Sequence, residues 1–349
     1  MPSYTYNEEE FKWYRYCVQN NIRISPYGIQ NDTDHWHIAI SLGPYQKWEK
    51  PNISPSKYCR KTICPEYYKM CKYIMINIEN EYRGLMAGIL YGGSDKEDRT
   101  GTGTKSVFGR TIKHDMSLGF PILTGKKISF NAARTELLWI LQGRTDLKYL
   151  EDNGVKYWRP DYERSGRTDE TLGPVYGKQW RDFNGVDQLK ELVYSIINNP
   201  NSRRLMVSAW APHEMNEMVL PPCHYAFQVY INNGVMDLMW QQRSADVFLG
   251  LPYDITMYGL LLEMLARGAN LKPGKLIGQL GDCHLYNNHL EQAMEYLDRQ
   301  KRVLPKLQLE SGVYLDEHHN FVYIPEANQI KLIKYNPLPA IKAELSVGN

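Results

Sequence analysis

Cys223 stands in Leu220-Pro221-Pro222-Cys223-His224, a cysteine carried on a short turn braced by two prolines. A thiolate attacks electrophilic carbon. The prolines restrict the backbone on its approach, so the sulfur reads as aimed rather than merely packed. His224 and arginines elsewhere in the chain are candidates to lower its pKa. A buried structural cysteine is the commoner fate of this residue type, and the proline pair weighs against it. A thiol protease would need a matching histidine and asparagine downstream, and no protease motif surrounds Cys223. Further along, Leu251-Pro252-Tyr253-Asp254-Ile255 supplies an acid that bears on what the sulfur attacks.

Arginines next to small hydroxyl residues recur. Asp98-Arg99-Thr100-Gly101-Thr102-Gly103-Thr104 is a Gly- and Thr-rich loop led by an arginine, and Asn201-Ser202-Arg203-Arg204 and Gln242-Arg243-Ser244 add three more. Guanidinium groups take phosphate through paired donors. An Arg-Arg pair taken alone is more often a solvated face. The glycine loop is neither a Walker loop, since no Gly-Lys-Ser/Thr follows, nor a dinucleotide fingerprint. In Gly281-Asp282-Cys283-His284-Leu285-Tyr286-Asn287-Asn288-His289, His284 and Tyr286 share one face of a strand end and suit a sugar hydroxyl. The bland alternative is a segment capping the next helix.

These residues need elements to position them. The apolar spacing predicts helices over Asn131–Gln142, stopped by Gly143, and over Ile255–Arg267, stopped by Gly268. Further helices are predicted over Tyr67–Arg83 and His289–Leu297. Strands are predicted at Asp34–Ile40, Leu205–Ala209, Tyr225–Ile231 and Val235–Trp240. Long helices mixed with alternating strands argue for an α+β, layered α/β fold. With 43% apolar and 23% charged residues the chain is globular, and its net charge of +2 does not suit duplex DNA. No apolar run is long enough for a membrane span. Met1–Glu10 is polar and acidic, unlike a signal or transit peptide, so a cytoplasmic location is expected. The six cysteines read as reduced thiols, and Cys59, Cys64 and Cys71 lack metal-knuckle spacing. His35 and His37 share a strand face, but a solvated or structural pair is the commoner case. Composition shifts near residue 80. Residues 1–75 read as an N-terminal extension without an assigned role, and 76–349 as the catalytic domain.

Taken in order, the chain resembles thymidylate synthase over residues ~80 to 347. The resemblance is carried by Asp98–Thr104, Thr135-Glu136-Leu137-Leu138-Trp139, Leu172–Arg181, Ser202-Arg203-Arg204, Pro221-Pro222-Cys223-His224, Gln242–Ile255 and Gly281–His289. It implies a large mixed sheet with packed helices, an obligate homodimer, and methylenetetrahydrofolate as co-substrate. It implies that Cys223 adds to C6 of a pyrimidine nucleotide. Arg99, Arg243 and Ser244, with Arg203 and Arg204 from the second subunit, would clamp the phosphate. His284 and Tyr286 would hold the sugar 3′-hydroxyl. Glu136 would manage protons through water, and Tyr176 would lie near C5. Trp158, Asp246, Leu249, Gly250 and Tyr253 would form the folate-side wall, with Asp246 also on the nucleotide side.

Asp254 departs from the family pattern, which has asparagine there. An amide offers the donor and acceptor that match uracil's O4 and N3–H. A carboxylate accepts only and suits cytosine's amino group, with N3 sharing a proton. Family members with this acid resemble deoxycytidylate hydroxymethylases of bacteriophages. The expectation is therefore conversion of dCMP to 5-hydroxymethyl-dCMP. The polar tail Pro337–Val347, extended by Gly348 and Asn349, leans the same way, because admitted water gives hydroxymethyl where hydride gives methyl. The alternatives are a methylating enzyme acting on dUMP or dCMP, and a non-catalytic nucleotide- or RNA-binding relative.

Overall fold

The computed structural model describes residues 22–29, 32–42, 77–318 and 322–346, the first two segments by their backbone. The chain divides into two compact units, Met1–Ile76 and Asn77–Asn349. In the first, β1 (Ile22–Ile29) pairs antiparallel with β2 (Asp32–Leu42), with Ile24 opposite Ile40 and a bulge between Gly28 and Ile29. The alternation over Asp34–Ile40 is thus a strand. Cys17, Cys59, Cys64, Cys71 and the stretch 67–76 lie outside the described residues.

The second unit is built on a six-stranded mixed sheet in the order β3-β4-β8-β7-β6-β5. Its strands are β3 (Ser94–Lys96), β4 (Thr104–Asp115), β5 (Met206–Ser208), β6 (His224–Asn232), β7 (Val235–Asp246) and β8 (Lys272–Tyr286). Only β7 and β8 run parallel; the other pairs are antiparallel. Asn233 and Gly234, both at positive φ, make the two-residue turn between β6 and β7. That Asn-Gly pair matches the twist of the strands it joins. β7 runs further than its apolar alternation predicts. Gln241, Gln242, Ser244 and Asp246 continue the ladder by pairing with β8 at Gln279, Leu280, Asp282 and His284. This extension carries the polar face of the site.

Eight α-helices surround the sheet among the described residues: α1 (Ile78–Gly92), α2 (Phe130–Leu141), α3 (Leu147–Asp152), α4 (Arg159–Ser165), α5 (Tyr176–Arg181), α6 (Gln188–Asn198), α7 (Leu251–Gly268) and α8 (Leu290–Asp298). Ser129 caps α2 by accepting the Ala132 N–H at 3.2 Å, and Gly143 at φ 72° lets the chain leave it. α7 is the central helix and is buried along most of its length. It starts four residues before the apolar period does, because Pro252 near its start needs no N–H partner. Asp254 therefore lies in its first turn. Gly259 of α7 lets Pro121 approach; a Cβ there would stand 2.3 Å from Pro121 Cγ. α8 begins at Leu290, after a 3₁₀ turn at Asn287–His289.

Candidate active site

Cys223 ends the Pro-Pro turn and leads into β6. Arg243 of β7 ties the turn down. Its backbone N–H donates to the Cys223 carbonyl at 2.8 Å. Its guanidinium donates to the Pro222 and Pro221 carbonyls at 3.0 and 2.8 Å and reaches to 4.0 Å from Cys223 Sγ. Gly281 of β8 makes room for this, since a Cβ there would meet the Arg243 carbonyl oxygen at 2.7 Å. The Cys223 N–H donates to the Tyr176 hydroxyl at 3.0 Å. Burial pushes the thiol up to about 11; Arg243 and Arg99 pull it down, while Asp254 and Asp161 push it further up. Burial thus favours the protonated thiol, and the two arginines are the groups that favour the thiolate.

His224 corrects the expectation of a cation beside the sulfur. Burial lowers its pKa to about 3, so it is neutral. Its Nδ1 lies 2.9 Å from the Tyr258 hydroxyl, and its ring stacks on Tyr176 at 4.3 Å between centroids. It is a spacer between two phenols.

Asp254 faces the same cavity. Its Oδ2 accepts from Gln242 Nε2 at 2.8 Å, and its Oδ1 lies 3.9 Å from His224 Nε2. Gln242 Oε1 accepts from Trp240 Nε1 at 3.0 Å, which turns the amide NH₂ toward Asp254. Burial raises the acid to about 7; the Gln242 hydrogen bond opposes this and the charges of Glu136 and Asp246 add to it. Glu136 projects from α2. Its Oε2 accepts from the Tyr157 hydroxyl at 2.6 Å and its Oε1 from Trp158 Nε1 at 2.8 Å. Burial raises its pKa, and those two hydrogen bonds hold it back.

The arginine loop lies at another edge of the cavity. Asp98 accepts from the N–H groups of Thr100 and Gly103 at 2.9 and 2.8 Å, which folds the loop around itself. Arg99 remains half exposed, 3.9 Å from Asp161. His284 and Tyr286, on β8, meet edge to face at 5.2 Å, and His284 Nδ1 lies 3.3 Å from Asp282 Oδ1. Tyr286 is pushed up to about 12 by burial, with Asp246, Asp98, Arg99 and Cys223 all near enough to act on it. Cys223, the arginine loop and Tyr286 therefore lie within electrostatic reach of one another. Ser244 follows Arg243 on the same strand.

Asp246, at the end of β7, accepts the N–H groups of Phe248 and Leu249 on Oδ1 at 3.0 and 3.1 Å. Its Oδ2 has no hydrogen-bond partner among the described residues and remains an acceptor for a ligand N–H. Leu249, Gly250 and Tyr253 follow at the entry of α7, with Tyr253 6.0 Å from Tyr157 between ring centroids. Trp158 is buried beside Tyr176 at 6.3 Å. This apolar wall with one free carboxylate oxygen suits a flat heterocycle with N–H donors, the character of a folate pterin.

Arg203 and Arg204 are not brought to the cavity by their own chain. Both are exposed on the turn before β5, and their side chains make no hydrogen bond or ion pair among the described residues. The tail packs back on the unit. Leu338 N–H donates to the Thr124 carbonyl at 2.8 Å, and His289 Nε2 lies 2.7 Å from the Glu344 carbonyl. Ser346 Oγ donates to Asn288 Oδ1 at 3.3 Å. Val347, Gly348 and Asn349 lie outside the described residues. Tyr157, Gln242, Tyr258 and Asp161 belong to the site and went unread as site residues. Only Gln242, beside Arg243, carried any local signal.

The sequence model of the thymidylate synthase family matches residues 80–347. The chain belongs to the thymidylate synthase family. The large mixed sheet and the helices packed on it are consistent with that family's fold. Its chemistry is one-carbon transfer to C5 of a pyrimidine nucleotide, with methylenetetrahydrofolate as co-substrate. Its members are typically dimeric. No helix among the described residues is long and apolar enough to cross a membrane.

Proposed function

We propose that this chain transfers a one-carbon unit to C5 of dCMP and releases 5-hydroxymethyl-dCMP. Methylenetetrahydrofolate supplies the carbon when bound against Trp158, Asp246, Leu249, Gly250 and Tyr253. Cys223 Sγ adds to C6, which makes C5 nucleophilic and drives charge onto N3 and position 4. Arg99, Arg243 and Ser244 hold the phosphate, with Arg203 and Arg204 of the second subunit. His284 and Tyr286 hold the sugar. Glu136 and Tyr176 serve the proton steps around C5.

The observation that carries the base assignment is Asp254, held by Gln242 and raised to about 7. Near neutrality this carboxyl shares one proton with a facing base. Against cytosine, the proton bridges Asp254 and N3 while the amino group donates to the other oxygen. Flow of electrons toward N3 converts that contact into a charge-assisted pair, strongest where the reaction needs it. Against uracil, only the ionised form of the acid would meet O4 with like polarity. Loss of the C5 proton and departure of tetrahydrofolate leave an exocyclic methylene on C5; the hydroxymethyl product follows if water, not hydride, captures it and the Cys223 thiolate then leaves C6. The polar tail around Ser346 supports that outcome.

Mass analysis of the product from dCMP and methylenetetrahydrofolate tests the proposal. A gain of one formaldehyde unit with no dihydrofolate formed supports it. A gain of one methylene with dihydrofolate formed shows methylation instead. Faster turnover of dUMP than of dCMP overturns the base assignment. Full activity of Cys223→Ser would point to a non-catalytic role for the thiol.

A further inference from the structure

Glu136 is gripped by a side chain to which the proton chemistry above assigns nothing. The Tyr157 hydroxyl donates to Oε2 at 2.6 Å, while Trp158 Nε1 occupies Oε1 at 2.8 Å. A phenol so placed is a donor rather than an acid, since burial and the Glu136 charge hold its own pKa well above the ordinary value. We propose that Tyr157 is a positioning residue of the one-carbon transfer, whose hydroxyl fixes Glu136 and keeps its carboxylate ionised for the proton step. This rests on the assignment of Glu136 as the group that manages protons at C5.

Burial and hydrogen bonding act in opposite directions on the charge of Glu136. Burial works toward the neutral acid. The groups that face it from the surrounding elements are Tyr157 and Trp158 ahead of α4, Tyr176 at the start of α5, and Tyr253 and Asp254 on α7. None of these is a cation. Ionisation is therefore supported by hydrogen bonds alone, and Tyr157 and Trp158 supply one on each oxygen. A carboxylate that accepts one bond on each oxygen keeps a further acceptor position on each. Removing the phenol would leave Oε2 without its donor where desolvation already disfavours charge. The proton would then be held more tightly on Glu136, and the base form would need a higher pH. Tyr157 also meets the Tyr253 ring at 6.0 Å, which links this carboxylate to the wall assigned to the folate.

Tyr157→Phe keeps the ring and its packing on Tyr253 and removes only the hydroxyl. The acid limb of the kcat profile should move upward by about one to two pH units, the size of one hydrogen bond to a charged group. Activity should recover as pH rises, with KM for the nucleotide unchanged. An infrared carboxyl titration of the unliganded protein, with the band identified by Glu136→Gln, should shift in the same direction. A kcat loss equal at every pH, or an unmoved carboxyl titration, overturns the proposal. If the parent enzyme prefers dUMP, the dCMP assignment fails, and the profile taken on dUMP still decides Tyr157. If it turns over neither nucleotide, the infrared titration decides it alone.

Discussion

Asp254 and Glu136 are two acids in one cavity, and the charge on Glu136 works against ionisation of Asp254. Asp254 has its pKa raised to about 7, so it is protonated below that pH and loses the proton above it. Pairing with cytosine uses one proton shared with N3. The expected result is that kcat/KM for dCMP falls as pH rises through about 7, and that this limb disappears in Asp254→Asn. A profile that rises across neutrality would contradict the assignment. Asp254→Asn should also swing the dUMP-to-dCMP ratio of kcat/KM by on the order of 10⁴, because one hydrogen-bond pattern is exchanged for another. Steady-state kinetics with both nucleotides measures this. Asp254 and Cys223 were legible as residues, because their types and motif neighbours announce them. The neutrality of His224 was not. It follows from burial of the ring against Tyr176 and Tyr258, brought from α5 and α7, and adjacency to Cys223 suggested the opposite.

At the scale of elements, α7 sets the geometry. It carries Tyr253 and Asp254 in its first turn, and it presses against the segment around Pro121 through Gly259. Gly259→Ala gives two opposing effects: a gain in helix propensity of about 1 kcal/mol, and an overpacking strain of about 1–3 kcal/mol. Strain should win, because the added carbon would stand 2.3 Å from a ring atom of Pro121, which has little freedom to give way. The net expectation is a modest loss, about 1 kcal/mol, seen as a lower midpoint in thermal unfolding. An unchanged or raised midpoint would show that Pro121 yields. α2 and α7 were readable from their apolar period. β4 and β8 were not: β4 is exposed on both faces over Phe108–Thr111, and β8 mixes glycines with polar residues, so neither shows a clean alternation. Their pairing with each other, with β8 also paired to β7, makes them strands.

At the scale of the whole molecule, Arg203 and Arg204 matter most. They lie exposed and unpaired among the described residues, and the proposed function assigns them to a nucleotide phosphate. If they serve a neighbouring subunit, mixing Cys223→Ser protein with a variant carrying both Arg203→Ala and Arg204→Ala should restore activity that neither shows alone. Random reassortment gives half mixed dimers with one complete site each, so recovery should approach about a quarter of the parent value. No recovery after verified subunit exchange would place the arginines in their own site or outside the chemistry. The ordered motifs by themselves determined the family and singled out Cys223 and Asp254 as residues, because those depend on residue type and local sequence. Only the tertiary structure decided protonation and contact. Burial from several elements sets the states of Cys223, His224 and Asp254, and the grip of Tyr157 on Glu136 depends on a distance between segments that no local pattern encodes.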